Sequence, residues 1–173
     1  MSNFKEIVTK AVVGKGRKTT TNDYSINPSS TPSTILGCWI INHNYTGEKE
    51  DDSVKVVGSF DTNIWYSTDN NTKTEVAKDK VTYEEHIPIK KSDDYDDQDE
   101  IIVRAIKQPS CIKAEIKDNS IEYTVEKTLA AEVVGDTKIR VGVDEINEQD
   151  PLEEEISDEI KEDFIKWISE VFF

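Results

Sequence analysis

Cysteine, histidine, positive charge and long apolar runs are all scarce in this sequence, and each shortage excludes something. Two cysteines, Cys38 and Cys111, are too few for a disulfide framework. They read as small core residues, with a late cross-link as the sharper alternative. Together with His43 and His86 they do not fall into a zinc grouping. The longest apolar runs, such as Trp39-Ile40-Ile41, are far too short to span a membrane. Met1 to Glu6 lacks a basic start followed by an apolar stretch, so folding in a cytosol is the expectation. The 21 Lys and Arg are outnumbered by 36 Asp and Glu, for a formal net charge of -15. Phosphate backbones need a basic footprint, so nucleic acid is excluded as a partner, and an anionic membrane surface fits no better. Basic proteins or divalent cations suit this charge.

What the chain does have is β pattern. With 173 residues it is one ordinary domain, or one domain with an appendage. From Val54 to Tyr66 apolar residues fall on alternate positions (Val54, Val56, Phe60, Ile64, Tyr66), the period of a half-buried strand, with a bend plausible at Gly58. Thr34 to Ile41 is almost continuously apolar, which predicts a strand buried on both faces, central in a sheet or at an oligomer contact. Val81, Tyr83, Ile87 and Ile89 alternate again with Glu85 on the same side, and Pro88 marks an edge or a strand end. Ile7–Val13, Ile101–Ile106, Ile112–Ile116, Ile121–Val125, Leu129–Val134 and Ile139–Val143 complete the set. Turn chemistry at Asn27-Pro28, Asp69-Asn70-Asn71, Gln108-Pro109-Ser110, Asp118-Asn119-Ser120 and Gly135-Asp136 separates the strands. The expected fold is mainly β, an antiparallel β-sandwich or barrel-like domain over 1–145.

Beyond Asp144 the period changes. Asp150 suits a helix cap and Pro151 the first helical position. Leu152, Ile156, Ile160, Phe164, Trp167, Ile168 and Val171 recur at spacings of three and four, one apolar face of an amphipathic α-helix of about twenty residues. Acids crowd its first turns and Lys161 and Lys166 follow, as the helix dipole prefers. Alone such a helix is marginal, since ordering it costs about what its burial returns. The acidic segment 146–173 must therefore dock, on its own β domain or on a partner. Ile156, Ile160, Phe164, Trp167, Ile168 and Val171 are its expected anchors.

Catalytic signatures do not appear: no G-x-S-x-G, no Cys-His pattern, no phosphate loop. His43 and His86 read as surface or strand-end residues, and Gly14-Lys15-Gly16-Arg17-Lys18 as a basic turn pairing with acidic surface elsewhere. Asp93 to Glu100 is a solvated acidic loop with weak calcium binding as its alternative, since no EF-hand pattern is present. No enzyme, cofactor or metal is expected.

Four segments carry a family likeness: Glu6–Lys18 (EIVTKAVVGKGRK), Ser33–His43 (STILGCWIINH), Asn63–Ser67 with Asn71–Val76 (NIWYS, NTKTEV) and Ala131–Lys138 (AEVVGDTK). In order and spacing, over about residues 3 to 145, they resemble the CotE family, outer spore coat morphogenetic proteins of endospore-forming bacteria. The resemblance implies a structural protein, made in the mother-cell cytoplasm and assembled on the spore surface. It would form homo-oligomers around the forespore and recruit other outer-coat proteins, without a cofactor. The rival expectation is a carbohydrate-binding-like β-sandwich using Trp39, Trp65 and Tyr66, with Trp39 more simply read as core.

Overall fold

The computed structural model describes residues 3–143. Those residues are mainly β. The strands are β1 (Asn3–Ile26), β2 (Thr34–Lys49), β3 (Ser53–Thr68), β4 (Lys73–Pro88), β5 (Lys90–Lys91), β6 (Glu100–Lys117) and β7 (Ser120–Val143). They form a four-stranded sheet in the order β5-β1-β7-β6 and a three-stranded sheet in the order β2-β3-β4. The β2–β3, β3–β4 and β6–β7 pairs are antiparallel.

The alternation read from the sequence sets the inward faces. On β3, Val54, Val56, Phe60, Ile64 and Tyr66 are fully buried. On β7 the buried hydrophobic residues are Ile121, Tyr123, Val125, Leu129, Ala131 and Val133. These side chains meet in two clusters. One joins Phe60, Ile64 and Tyr66 to Ala77, Val81, Ile121, Tyr123 and Val125. The other joins Val54, Val56 and Ile87 to Leu129 and Ala131. Both clusters draw on both sheets, so the core lies between two layers. Each such burial contributes roughly 1.5–3 kcal/mol.

Turn chemistry acts where expected at two hairpins. Asp69, Asn70 and Asn71 take φ of 53°, 52° and 64° between β3 and β4, and Asp118 takes 55° between β6 and β7. Asn and Asp tolerate the left-handed region better than other side-chain-bearing residues. Pro88 ends β4, which is a sheet edge.

Other expected breaks are not breaks. Gln108-Pro109-Ser110 lies inside β6, on a sheet edge, and the ladder shifts register on both sides of it. An edge strand can take a proline that way, since its missing N–H need not join a ladder. Gly135-Asp136 lies within β7, and Gly14–Lys18 lies within β1 rather than in a turn. Gly16 is there because of close approach: a Cβ would stand 2.1 Å from the Pro88 carbonyl oxygen. Thr34–Ile41 is also corrected. It belongs to β2, an edge strand, with Ile35, Cys38 and Ile40 against the core and Leu36, Trp39 and Ile41 exposed. A long apolar run therefore came from two apolar faces, only one of them covered.

By internal contacts residues 8–138 form one unit; the described parts of the other are 3–7 and 139–143. In that smaller unit Phe4, Ile7, Ile139, Val141 and Val143 are exposed, and Arg140 Nε lies 3.8 Å from Glu6 Oε1. The C-terminal helix, its anchors Ile156, Ile160, Phe164, Trp167, Ile168 and Val171, and the boundary at 145/146 lie outside the described residues.

Candidate interaction surface

The outward face of the β2-β3-β4 sheet carries exposed apolar side chains among polar ones. The β2–β3 register places Trp39 opposite Asn63 and Gly37 opposite Trp65. A Cβ on Gly37 would stand 2.2 Å from the Trp39 ring, so this glycine is where the indole lies down. Leu36 is 54% exposed, Trp39 53%, Trp65 43%, Ile41 43% and Val57 42%. Exposed apolar side chains grouped as Trp39 and Trp65 are about Gly37 mark contact sites. Beside it an open groove of about 480 Å³ is lined by Ile41, Asn42, Asp61, Asn63, Lys78, Asp79 and Lys80. There Asn42, at φ 54°, donates from Nδ2 to Asp61 at 2.8 Å. Of the aromatic trio expected for a sugar platform, Trp39 and Trp65 share this exposed face, whereas Tyr66 is fully buried and donates to Glu75 at 2.7 Å. The expectation of Trp39 as core is thus overturned. Its apolar neighbours Ile40 and Cys38 turn inward while it turns out.

The inward side holds a polar network that sequence reading missed. Lys127, only 2% exposed, occupies an inward position of β7 between Val125 and Leu129. Its Nζ donates to Glu85 at 3.0 Å and to Thr20 at 2.9 Å, and lies 4.2 Å from the Tyr83 ring centroid. Lys18 reaches the other oxygen of Glu85 at 2.9 Å. Burial pushes the Glu85 carboxyl up, but the hydrogen bonds from Lys18 and Lys127 outweigh it, and the net direction is down. The basic segment of β1 therefore does pair with an acid, an internal one.

His43 extends this network. Its Nε2 is 2.6 Å from the Tyr83 hydroxyl and its Nδ1 2.7 Å from Gln108 Oε1. Burial drives its pKa down, against the hydrogen bond to Gln108 and with the help of Lys127. Burial, with Glu85 nearby, also holds the Tyr83 hydroxyl protonated. A neutral ring donating from Nδ1 to Gln108 and accepting from Tyr83 at Nε2 meets every constraint. His43 is therefore a half-buried bridge among β2, β4 and β6 rather than a free strand-end residue. His86 is exposed, with Nδ1 2.9 Å from Glu50 and Nε2 3.2 Å from Glu84. These hydrogen bonds raise its pKa.

The acidic loop uses its carboxylates on its own amides and on β7. Asp99 accepts from the Asp96 amide at 2.8 Å, Asp96 from the Gln98 amide at 2.9 Å, and Asp94 from the Thr137 hydroxyl at 2.6 Å. Among the described residues no acidic or thiol-imidazole cluster has the arrangement of a metal site. The two cysteines, far apart in sequence, come together. Cys38 on β2 and Cys111 on β6 both pack against the Phe60–Tyr123 cluster. Burial and the hydrogen bond to Cys111 push the Cys38 thiol up.

Comparison with known proteins gives one family. A family model described as outer spore coat protein E (CotE) matches residues 3–172, which includes the acidic tail. No curated protein and no solved structure gives a significant match to the chain.

Proposed function

The chain belongs to the outer spore coat protein E (CotE) family, and on that premise we propose that it is a non-catalytic morphogenetic component of the outer coat that self-associates and recruits other coat proteins. It is made in the mother-cell cytoplasm and assembled onto the spore surface. One observation carries this reading beyond the family: the exposed apolar face of Leu36, Trp39, Ile41, Val57 and Trp65. Half-exposed tryptophans are expensive to leave in water and effective as interface anchors. The sheet edge at β4 provides a second means of association, by strand addition. A net charge of -15 keeps such a surface soluble and favours basic partners. The groups best suited to acid–base chemistry, His43, Glu85 and Lys127, are spent on one another and on core neighbours, which supports a structural reading. The acidic tail would serve recruitment, through its predicted apolar stripe.

The test is the assembly state of the full chain by sedimentation, with and without Trp39→Ser and Trp65→Ser together. Loss of the higher-order species with retained β structure supports the proposal. Unchanged assembly removes this face from it. A second reading, carbohydrate binding, is favoured by the two exposed indoles on one face. Glycan binding that disappears in the same double variant, with assembly intact, would establish it instead.

A further inference from the structure

The cysteines occupy a position that the assembly reading does not use. Cys38 belongs to an edge strand of the three-stranded sheet and Cys111 to an edge strand of the four-stranded sheet. These two edges are held together at neighbouring points. His43 on β2 meets Gln108 on β6 at 2.7 Å, and the Ala105 amide on β6 donates to the Tyr45 hydroxyl at 3.0 Å. At the same seam Cys38 and Cys111 pack against one core cluster, around Phe60 and Tyr123, and the Cys111 thiol donates to the Lys113 carbonyl at 3.2 Å. Register shifts adjoin both residues, between Ile35 and Gly37 on β2 and between Cys111 and Lys113 on β6. Bulged backbone accommodates the movement that brings two neighbouring sulfurs to bonding distance.

We propose that Cys38 and Cys111 are a redox pair that closes into a disulfide between the two sheets when a low-molecular-weight disulfide reaches the seam. The order of events follows from exposure. Both thiols are half-buried, and the Cys111 sulfur is the one whose hydrogen bond, to the Lys113 carbonyl, lies in exposed surroundings, so Cys111 is the attacking sulfur. Its thiolate, having lost a proton to water, attacks one sulfur of the small disulfide and expels the other half as a thiol. The resulting mixed disulfide sits beside Cys38. The Cys38 thiol then gives up its proton and attacks the Cys111 sulfur, releasing the second small thiol. Two cysteine thiols are oxidised and one small disulfide is reduced to two thiols, so the balance closes. The bond fixes one sheet to the other and closes a loop of about 70 residues, a length at which a cross-link constrains the unfolded chain strongly.

The experiment incubates the full folded chain with oxidised glutathione and then maps peptides without reduction. The expected result is a peptide containing Cys38 linked to one containing Cys111, in monomeric protein, with both free thiols lost together. The thermal midpoint should rise by roughly 5–15 °C and fall back on reduction. Cys38→Ala should stop the reaction at the first step, leaving glutathione on Cys111. Three outcomes overturn the proposal: a glutathione adduct that persists in the unaltered chain, Cys111–Cys111 dimers as the main product, or thiols that react only after unfolding. Peptide mapping of the unaltered chain decides the matter even if a cysteine variant folds poorly.

Discussion

The two outward faces of the molecule obey the same strand period and are finished in opposite ways. On the four-stranded sheet the outward side chains of β1 and β7 satisfy one another. Thr19 meets Thr128 at 2.9 Å and Thr124 donates to Asp23 at 2.6 Å, while on the β6 side Lys117 pairs with Glu122 at 3.1 Å and Lys107 with Glu126. Within residues 8–138 its exposed apolar residues, Val8, Val12, Ile106 and Ile112, sit on β1 and β6 with β7 between them. On the three-stranded sheet the exposed apolar residues instead occupy adjacent strands in register, Trp39 beside Trp65 through Gly37. Folding requires only the inward half of each alternation. The outward half is free to be neutral or to be a contact, and here the two sheets divide those roles.

The largest effect should come from breaking what lies between the faces. Glu85→Ala leaves the Lys18 and Lys127 charges without their shared carboxylate, and Lys127 is buried. Removing one member of a buried ionic group costs about 3–5 kcal/mol. Glu126→Ala, on the polar outward face, removes a partner only of exposed Lys107 and should cost at most about 1 kcal/mol. Urea unfolding of both variants at neutral pH makes the comparison. Equal losses would mean that the inward network contributes no more than a surface pair.

Next in size is the effect of the faces on association. Trp39→Ser with Trp65→Ser should weaken self-association at least about tenfold, since anchors of this type carry 1.4 kcal/mol or more. Thr124→Ala and Thr19→Ala on the opposite face should leave association within about twofold, whatever they do to stability. Raising ionic strength should strengthen association of the unaltered chain, because a net charge of -15 repels its copies and salt screens that repulsion. Sedimentation across a salt series reads both. Weaker association at high salt would shift the driving force from the apolar face to charge.

Much of the fold was legible because inward alternation is a strong signal. β3 came out as read, and the Pro88 edge and the Asp69–Asn71 turn follow from rigid local chemistry. Where reading failed, one physical cause recurs: a polar or ring-constrained residue inside a strand was taken as its end. Lys127 interrupts the apolar series Ile121, Tyr123, Val125, Leu129, Ala131 and Val133 without changing its period. The residue able to pay for its burial, Glu85, was already visible facing the core from β4. A lysine and a glutamate at inward positions of two strands were the available signal. Trp39 failed differently, because hydrophobicity alone does not say which face of an edge strand is covered. The meeting of Cys38 with Cys111 depends on how two sheets stack, which no local pattern encodes.

The smallest expected effect again sets inside against outside, through the two histidines. His86, on the outward face, has its pKa raised above the ordinary 6.5 by hydrogen bonds to Glu50 and Glu84. Its contribution to stability is present below 6.5 and fades as pH rises through the raised value. His43, on the inward side, has its pKa lowered from 6.5, mainly by burial. Below 6.5 the unfolded chain takes up a proton that the folded chain refuses, so stability declines as pH falls toward the lowered value. The two slopes oppose each other over neighbouring pH ranges and partly cancel in the unaltered chain. His86→Gln should uncover the loss on acidification, so that the urea midpoint drops more steeply between pH 7.5 and 5.5 than in the parent. His43→Gln should flatten that drop or reverse it. If both variants change the slope in the same direction, His43 is not held neutral between Tyr83 and Gln108, and the bridge among β2, β4 and β6 is a weaker tie than its hydrogen-bond lengths imply.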